Sequence, residues 1–179
     1  MAITTTAADV SNISTYHATP GDTQNTEIRA ALTKVVADLT AQDARILTAE
    51  YSITEANIVG MNGTPVTVLA AQGAGTAIQF IDAVLIYDYD TAAYTGGGDV
   101  TLEYSGGATV STTIAAANSF GASGDKVFSF AALNAAGGYT MPVNTGIDIT
   151  NATAAFADPG TAAGVGRLKI SYRVITTDL

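Results

Sequence analysis

The chain has no cysteine, no tryptophan and a single histidine in 179 residues. Without thiols there is no disulfide framework, no cysteine nucleophile and no cysteine-ligated zinc, and one histidine cannot build a multi-histidine metal site. Ser-His-Asp chemistry would have to rest on His17, which stands in STYHATPG with no second histidine near it. Positive charge is also scarce. Seven Lys and Arg against 16 Asp and Glu leave a net charge of −9, with a pI near 4.2. That is the wrong sign for gripping phosphates, so no nucleic-acid partner is expected. No apolar run approaches the roughly 18 residues of a membrane helix, so no membrane partner is expected either. The opening MAITTTAADVSNIS lacks the basic and apolar regions of a secretory leader, which predicts that there is none.

A chain of this length suits one domain plus a short appendage, large enough to hold a core without a metal or disulfide staple. Charged residues are only 13% of it while hydrophobic residues are 47%. Thr, Ser, Ala and Gly must therefore cover much of the surface, a composition suited to close subunit contacts.

Three parts are visible along the chain. Residues 1–21 are Thr/Ala/Ser-rich, carry no hydrophobic period and end in Pro20-Gly21, so they predict an extended N-terminal arm. In residues 22–50 the apolar positions Ile28, Leu32, Val35, Leu39 and Ile46 fall on a heptad-like seam with Gln42 at its polar position. No Pro or Gly interrupts it, which predicts an amphipathic helix running from a cap at Asp22 or Thr23 to Leu47. These six seam residues are the candidate contacts with another copy or with a partner protein. The seam fits either self-association or packing of the helix on its own domain.

Residues 51–179 read as β. A short helical turn, TEANIVGMNG, is predicted first, capped by Thr54 and closed by a left-handed Gly60. Alternating segments follow at Val66–Val68, Ile78–Phe80, Val84–Tyr89, Val100–Tyr104, Thr109–Ile114, Val127–Phe130, Ile147–Ile149 and Leu168–Val174, separated by turn clusters such as QGAG and TGGG. About eight short strands without long intervening helices predict an all-β fold, an antiparallel β-sandwich that is jelly-roll-like. The Leu168, Ile170, Tyr172 and Val174 period makes that segment the expected central strand. The GAG and TGGG glycines lack a following Lys-Ser/Thr or helix start and are expected in hairpin turns rather than phosphate loops.

Acidic residues offer two constellations. Asp88, Asp90 and Asp99 could converge at one loop end and hold a cation, although the spacing matches no EF-hand and solvated turn residues are the plainer reading. Asp82 and Glu103 form the one tempting pair for glycoside hydrolysis, with nothing to set their separation. No nucleophile-plus-base motif accompanies them, so the chain reads as a non-enzyme with no metal and no cofactor.

The stretch NGTPVTVLAAQGAGTAIQFIDAVLIYDYDTAAYTGGGDVTLEY carries a resemblance. Asn62, Thr64, Pro65 and Val66, then Gly73, Ala74 and Gly75, then Ala93, Tyr94, Thr95, Gly96 and Gly97, with the closing GRLKISYRVI, resemble a family of small tailed-bacteriophage virion proteins of the capsid-decoration or head-fibre type. The similar region spans about residues 47–175. It implies a jelly-roll-like β domain, a homotrimer, the major capsid protein as partner and a place on the capsid exterior. The alternative is a head- or tail-fibre module recognising host glycans, with Tyr87, Tyr89 and Tyr94 as stacking platforms. A glycan hydrolase is the third reading.

Overall fold

The computed structural model describes residues 29–34, 45–133, 140–160 and 163–177. The chain divides into two compact units, Met1–Asp43 and Ala44–Leu179. Of the first, residues 29–34 are described and are helical, with the Thr33 hydroxyl donating to the Arg29 carbonyl at 2.8 Å. The predicted arm, His17 and the helix cap lie outside the described residues.

The second unit is all-β and antiparallel. Its strands are β1 (Leu47–Ile53), β2 (Val66–Leu69), β3 (Thr76–Asp88), β4 (Thr95–Gly96), β5 (Val100–Tyr104), β6 (Ala108–Thr109), β7 (Lys126–Ala131), β8 (Ile147–Asn151), β9 (Phe156–Ala157) and β10 (Val165–Thr176). The first sheet has the order β1-β10-β3-β7, the second β2-β8-β5-β6, and β4 pairs with β9 in a short ribbon. Inward residues of both four-stranded sheets share one core, in which Leu85, Leu102, Phe130, Ile149 and Leu168 are fully buried. Burying such side chains contributes about 1.5–3 kcal/mol each relative to exposure. The Tyr104 hydroxyl on β5 donates across the sandwich to the Ile78 carbonyl on β3.

β10 is the central strand that its period predicts: Leu168, Ile170 and Tyr172 are buried, while Arg167 and Lys169 are exposed. It pairs with β1 on one side and with β3 on the other. β3 is one strand of 13 residues where the sequence predicts two segments, and a β-bulge explains the difference. Ser171 faces Asp82 and Tyr172 faces Phe80, which leaves Ile81 as the extra residue. The bulge switches the buried set from Ile78 and Phe80 to Ala83, Leu85 and Tyr87, and turns Asp82 outward.

Four expectations are corrected. The helix does not run to Leu47, because Leu47–Ile53 forms β1, in which Ala49, Tyr51 and Ile53 point inward and Glu50 outward. The predicted strand over residues 109–114 reduces to the two-residue β6 and to bridges Ser111–Ala132 and Val100–Ile114. The helical turn exists as Glu55–Gly60 with a capping box between Thr54 and Asn57. Its C-cap, however, is Met61 in right-handed conformation, so Gly60 is not the left-handed closure. Nor are the GAG and TGGG glycines hairpin turns. GAG joins β2 to β3, which lie in different sheets, and TGGG leads from β3 to β5 across the sandwich. Gly97, at φ 74°, lets the chain close over Phe156, whose ring would lie 2.3 Å from an added Cβ.

Candidate functional site

The seam residues are not assembled by the described structure. Ile28, Val35, Leu39 and Gln42 lie outside the described residues. Leu32 is half-buried within helical residues 29–34. Ile46 is 54% exposed in an extended segment leading into β1, so it is not a helical seam position.

The proposed acidic constellations also come apart. Asp99 accepts a hydrogen bond from the Ala116 N–H at 3.1 Å, which holds the start of the 3-10 turn Ala116–Asn118. Asp88 and Asp90 flank Tyr89 elsewhere, where the Tyr89 N–H donates to Asp125. Among the described residues no group of three acidic or histidine side chains is placed to hold a metal ion. Asp82 projects from β3 in the first sheet and Glu103 from β5 in the second, so they do not face one another across a cleft.

The tyrosines proposed as platforms are mostly core residues. Tyr87 and Tyr94 are 1% and 2% exposed. Their rings join Phe120 and Phe156 in edge-to-face contacts with centroids 5.6–6.4 Å apart. The Tyr94 hydroxyl donates to the Gly164 carbonyl at 2.8 Å, and burial is the main cause of its raised pKa. Tyr89 alone is half-buried.

Two outward faces remain. On the first sheet, the outward row of β10 carries Arg167, Lys169, Ser171 and Arg173. Glu50 on β1 pairs with Arg167 at 3.4 Å and with Lys169 at 3.5 Å. At one end of this sheet a groove of about 680 Å³ runs between Ser52, Ile86, Val127, Val165 and Arg167, with Asp88, Asp125 and Lys126 at its margin. Val127 and Val165 are 67% and 45% exposed there.

The second sheet presents a different surface. Glu103 and Asp148 stand directly opposite one another on β5 and β8, with Thr67 opposite Asp148 on the other side. The Ser105 hydroxyl donates to Asp148 Oδ1 at 2.8 Å. Partial burial, and then the charge of Asp148, push the Glu103 carboxyl above its usual range. Sequence reasoning missed this pair because the strands that bring the two together are far apart in the chain.

No protein-family model matches the chain, and no curated protein matches it. Among solved structures, a chain of the cyanophage Pam1 capsid asymmetric unit aligns with 72% of this chain and 83% of its own length, at 18% identity and a TM-score of 0.42. Among the described residues no helix is long and apolar enough to cross a membrane.

Proposed function

We propose that the chain is a structural virion protein that decorates and stabilises the outside of a tailed-phage head. The observation that supports this reading is the set of motif residues that carry the family resemblance, several of which serve the fold. Asn62 donates to the Asn151 carbonyl at 2.8 Å, tying the segment before β2 to the end of β8. Pro65 leads into β2, Gly73 and Gly75 take positive φ, and Tyr94 and Gly97 lock the crossover over Phe156. Their chemistry is that of a scaffold presenting surfaces. In this reading the chain acts without catalysis, as a jelly-roll-like homotrimer on the major capsid protein. The Ile28, Leu32, Val35 and Leu39 seam is one proposed contact between copies.

The glycan-module alternative loses its support with the burial of Tyr87 and Tyr94. The test is to add purified protein to shells assembled from the major capsid protein alone. Binding that raises the temperature of shell disruption supports decoration. Unbound protein and unchanged shells overturn it, and particles depleted of the protein that keep intact shells but lose host adsorption would favour a fibre.

A further inference from the structure

The charges of the unit Ala44–Leu179 are unevenly shared between its two faces. This unit holds Arg45, Lys126, Arg167, Lys169 and Arg173. Three of those five cations lie in the outward row of β10, which carries no acid. They are also under-compensated. Arg167 and Lys169 divide one carboxylate, Glu50, between them. Among the described residues Arg173 has no carboxylate in ion-pair range, and its Nε is shielded from water without an acceptor. Asp82, opposite Ser171, is the nearest acid in register and makes no ion pair.

The second sheet has the converse shortage. Glu103 and Asp148 face each other across β5 and β8 with no cation on either. Asp148 is only 7% exposed, and its hydrogen bond comes from neutral Ser105. The outward residues around the pair are Thr67 on β2, Thr101 on β5, Thr109 on β6 and Thr150 on β8, none of which titrates near neutrality. Like charges directly opposite on adjacent strands repel, and partial desolvation sharpens the repulsion.

We propose that the outward row of β10 in one copy docks on the Glu103–Asp148 face of a second copy. Lys169 and Arg173 then supply the cations that this carboxylate pair lacks, and the pair supplies the negative charge that the Arg173 guanidinium lacks. Neither face suits itself: two β10 rows would oppose cations, and two acidic faces would oppose carboxylates. The contact is therefore head-to-tail, the kind that closes into a ring or extends as a chain. It stands on charge distribution alone and does not rest on the virion reading.

The test is sedimentation velocity of the full chain over a range of protein concentrations, at low and high salt. Wild type associates at low salt and falls back to monomer at high salt, because screening weakens an ionic contact. Glu103→Lys and Lys169→Glu each weaken association at least about tenfold. An equimolar mixture of the two restores association, because each variant keeps the face that the other has lost and their two altered faces are opposite in charge. Thermal unfolding shows that each variant is folded, and Glu103→Gln with Lys169→Gln replace any variant that is not. The proposal is overturned by a monomeric wild type at low salt, by Glu103→Lys associating as wild type does, or by a mixture that stays monomeric. Association indifferent to salt and to Glu103 would assign self-contact to the Leu32 seam instead. Shell binding by these variants is read separately, so failure of this contact and failure of decoration are distinguishable.

Discussion

Glu103 and Asp148 occupy directly opposed positions on β5 and β8, and among the described residues the one hydrogen bond to either carboxylate is from the Ser105 hydroxyl to Asp148 Oδ1. A sheet that holds two facing carboxylates loses stability when both are ionised. The Glu103 carboxyl is pushed above its usual range, first by burial and second by the charge of Asp148.

Glu103→Gln removes one of the two charges and should raise the unfolding temperature at neutral pH. Because the folded pKa lies above the unfolded value, ionised Glu103 disfavours the fold. The stability this group contributes is fully present below the ordinary glutamate pKa and is lost as pH rises through the folded one. The advantage of the glutamine variant should therefore shrink on acidification through that window. Part of the carboxylate remains in water, so the effect at neutral pH is at most about 1 kcal/mol. Paired thermal melts across the acidic range check it, and an advantage independent of pH would refute the charge argument.

Tyr94 and Tyr87 should respond oppositely to loss of the hydroxyl. Tyr94→Phe strands the buried Gly164 carbonyl and should cost about 1–2 kcal/mol in urea unfolding. Among the described residues the buried Tyr87 hydroxyl has no hydrogen-bond partner, so Tyr87→Phe should be neutral or stabilising. Equal destabilisation by the two would show that Tyr87 has an acceptor.

Two glycines of the crossovers separate strain from collision. An added Cβ at Gly98 would lie 1.3 Å from the Ala152 carbonyl oxygen, whereas at Gly73 it would meet nothing within 4 Å. Gly98→Ala should forfeit about 3 kcal/mol or more, or prevent folding. Gly73→Ala should cost only about 1–2 kcal/mol for holding alanine at φ 109°. Soluble yield and urea midpoints of the two variants test the ranking.

The helix Glu55–Gly60 is too short to hold by propensity alone and leans on its capping box. The Asn57 N–H donates to Thr54 Oγ1 at 3.3 Å, and the Thr54 N–H donates to Asn57 Oδ1 at 3.0 Å. Thr54→Ala should cost about 1 kcal/mol. Thr54→Ser should restore most of it, and equal losses from the two would place the effect in side-chain packing instead.

The fold class was legible because inward and outward residues alternate cleanly in β5 and β10, where apolar side chains take every second position. β1 was not legible as a strand. Ile46 falls seven residues after Leu39, which continues a helical count, while small Ala49 blunts the β-period of Leu47, Tyr51 and Ile53. The unity of β3 was hidden by the bulge at Ile81, which breaks a period-2 count in mid-strand. The Glu103–Asp148 pair was invisible for a more basic reason. Register between β5 and β8 is set by tertiary packing of Leu102 and Ile149, and no local pattern records which residue will stand opposite which.

The place of β10 between β1 and β3 bears on how the chain comes off the ribosome. β1 and β3 are made early, yet neither pairs with the other: β1 waits for residues 165–176, and β3, which can pair with β7 sooner, keeps one edge open until then. Until that segment emerges, both expose unpaired backbone edges and half of a hydrophobic core, the condition in which nascent chains mispair with neighbours on a crowded polysome. Completion of the first sheet is thus a late, long-range closure of the slow kind that high contact order imposes. Yield is then a matter of how quickly that last long strand finds its slot.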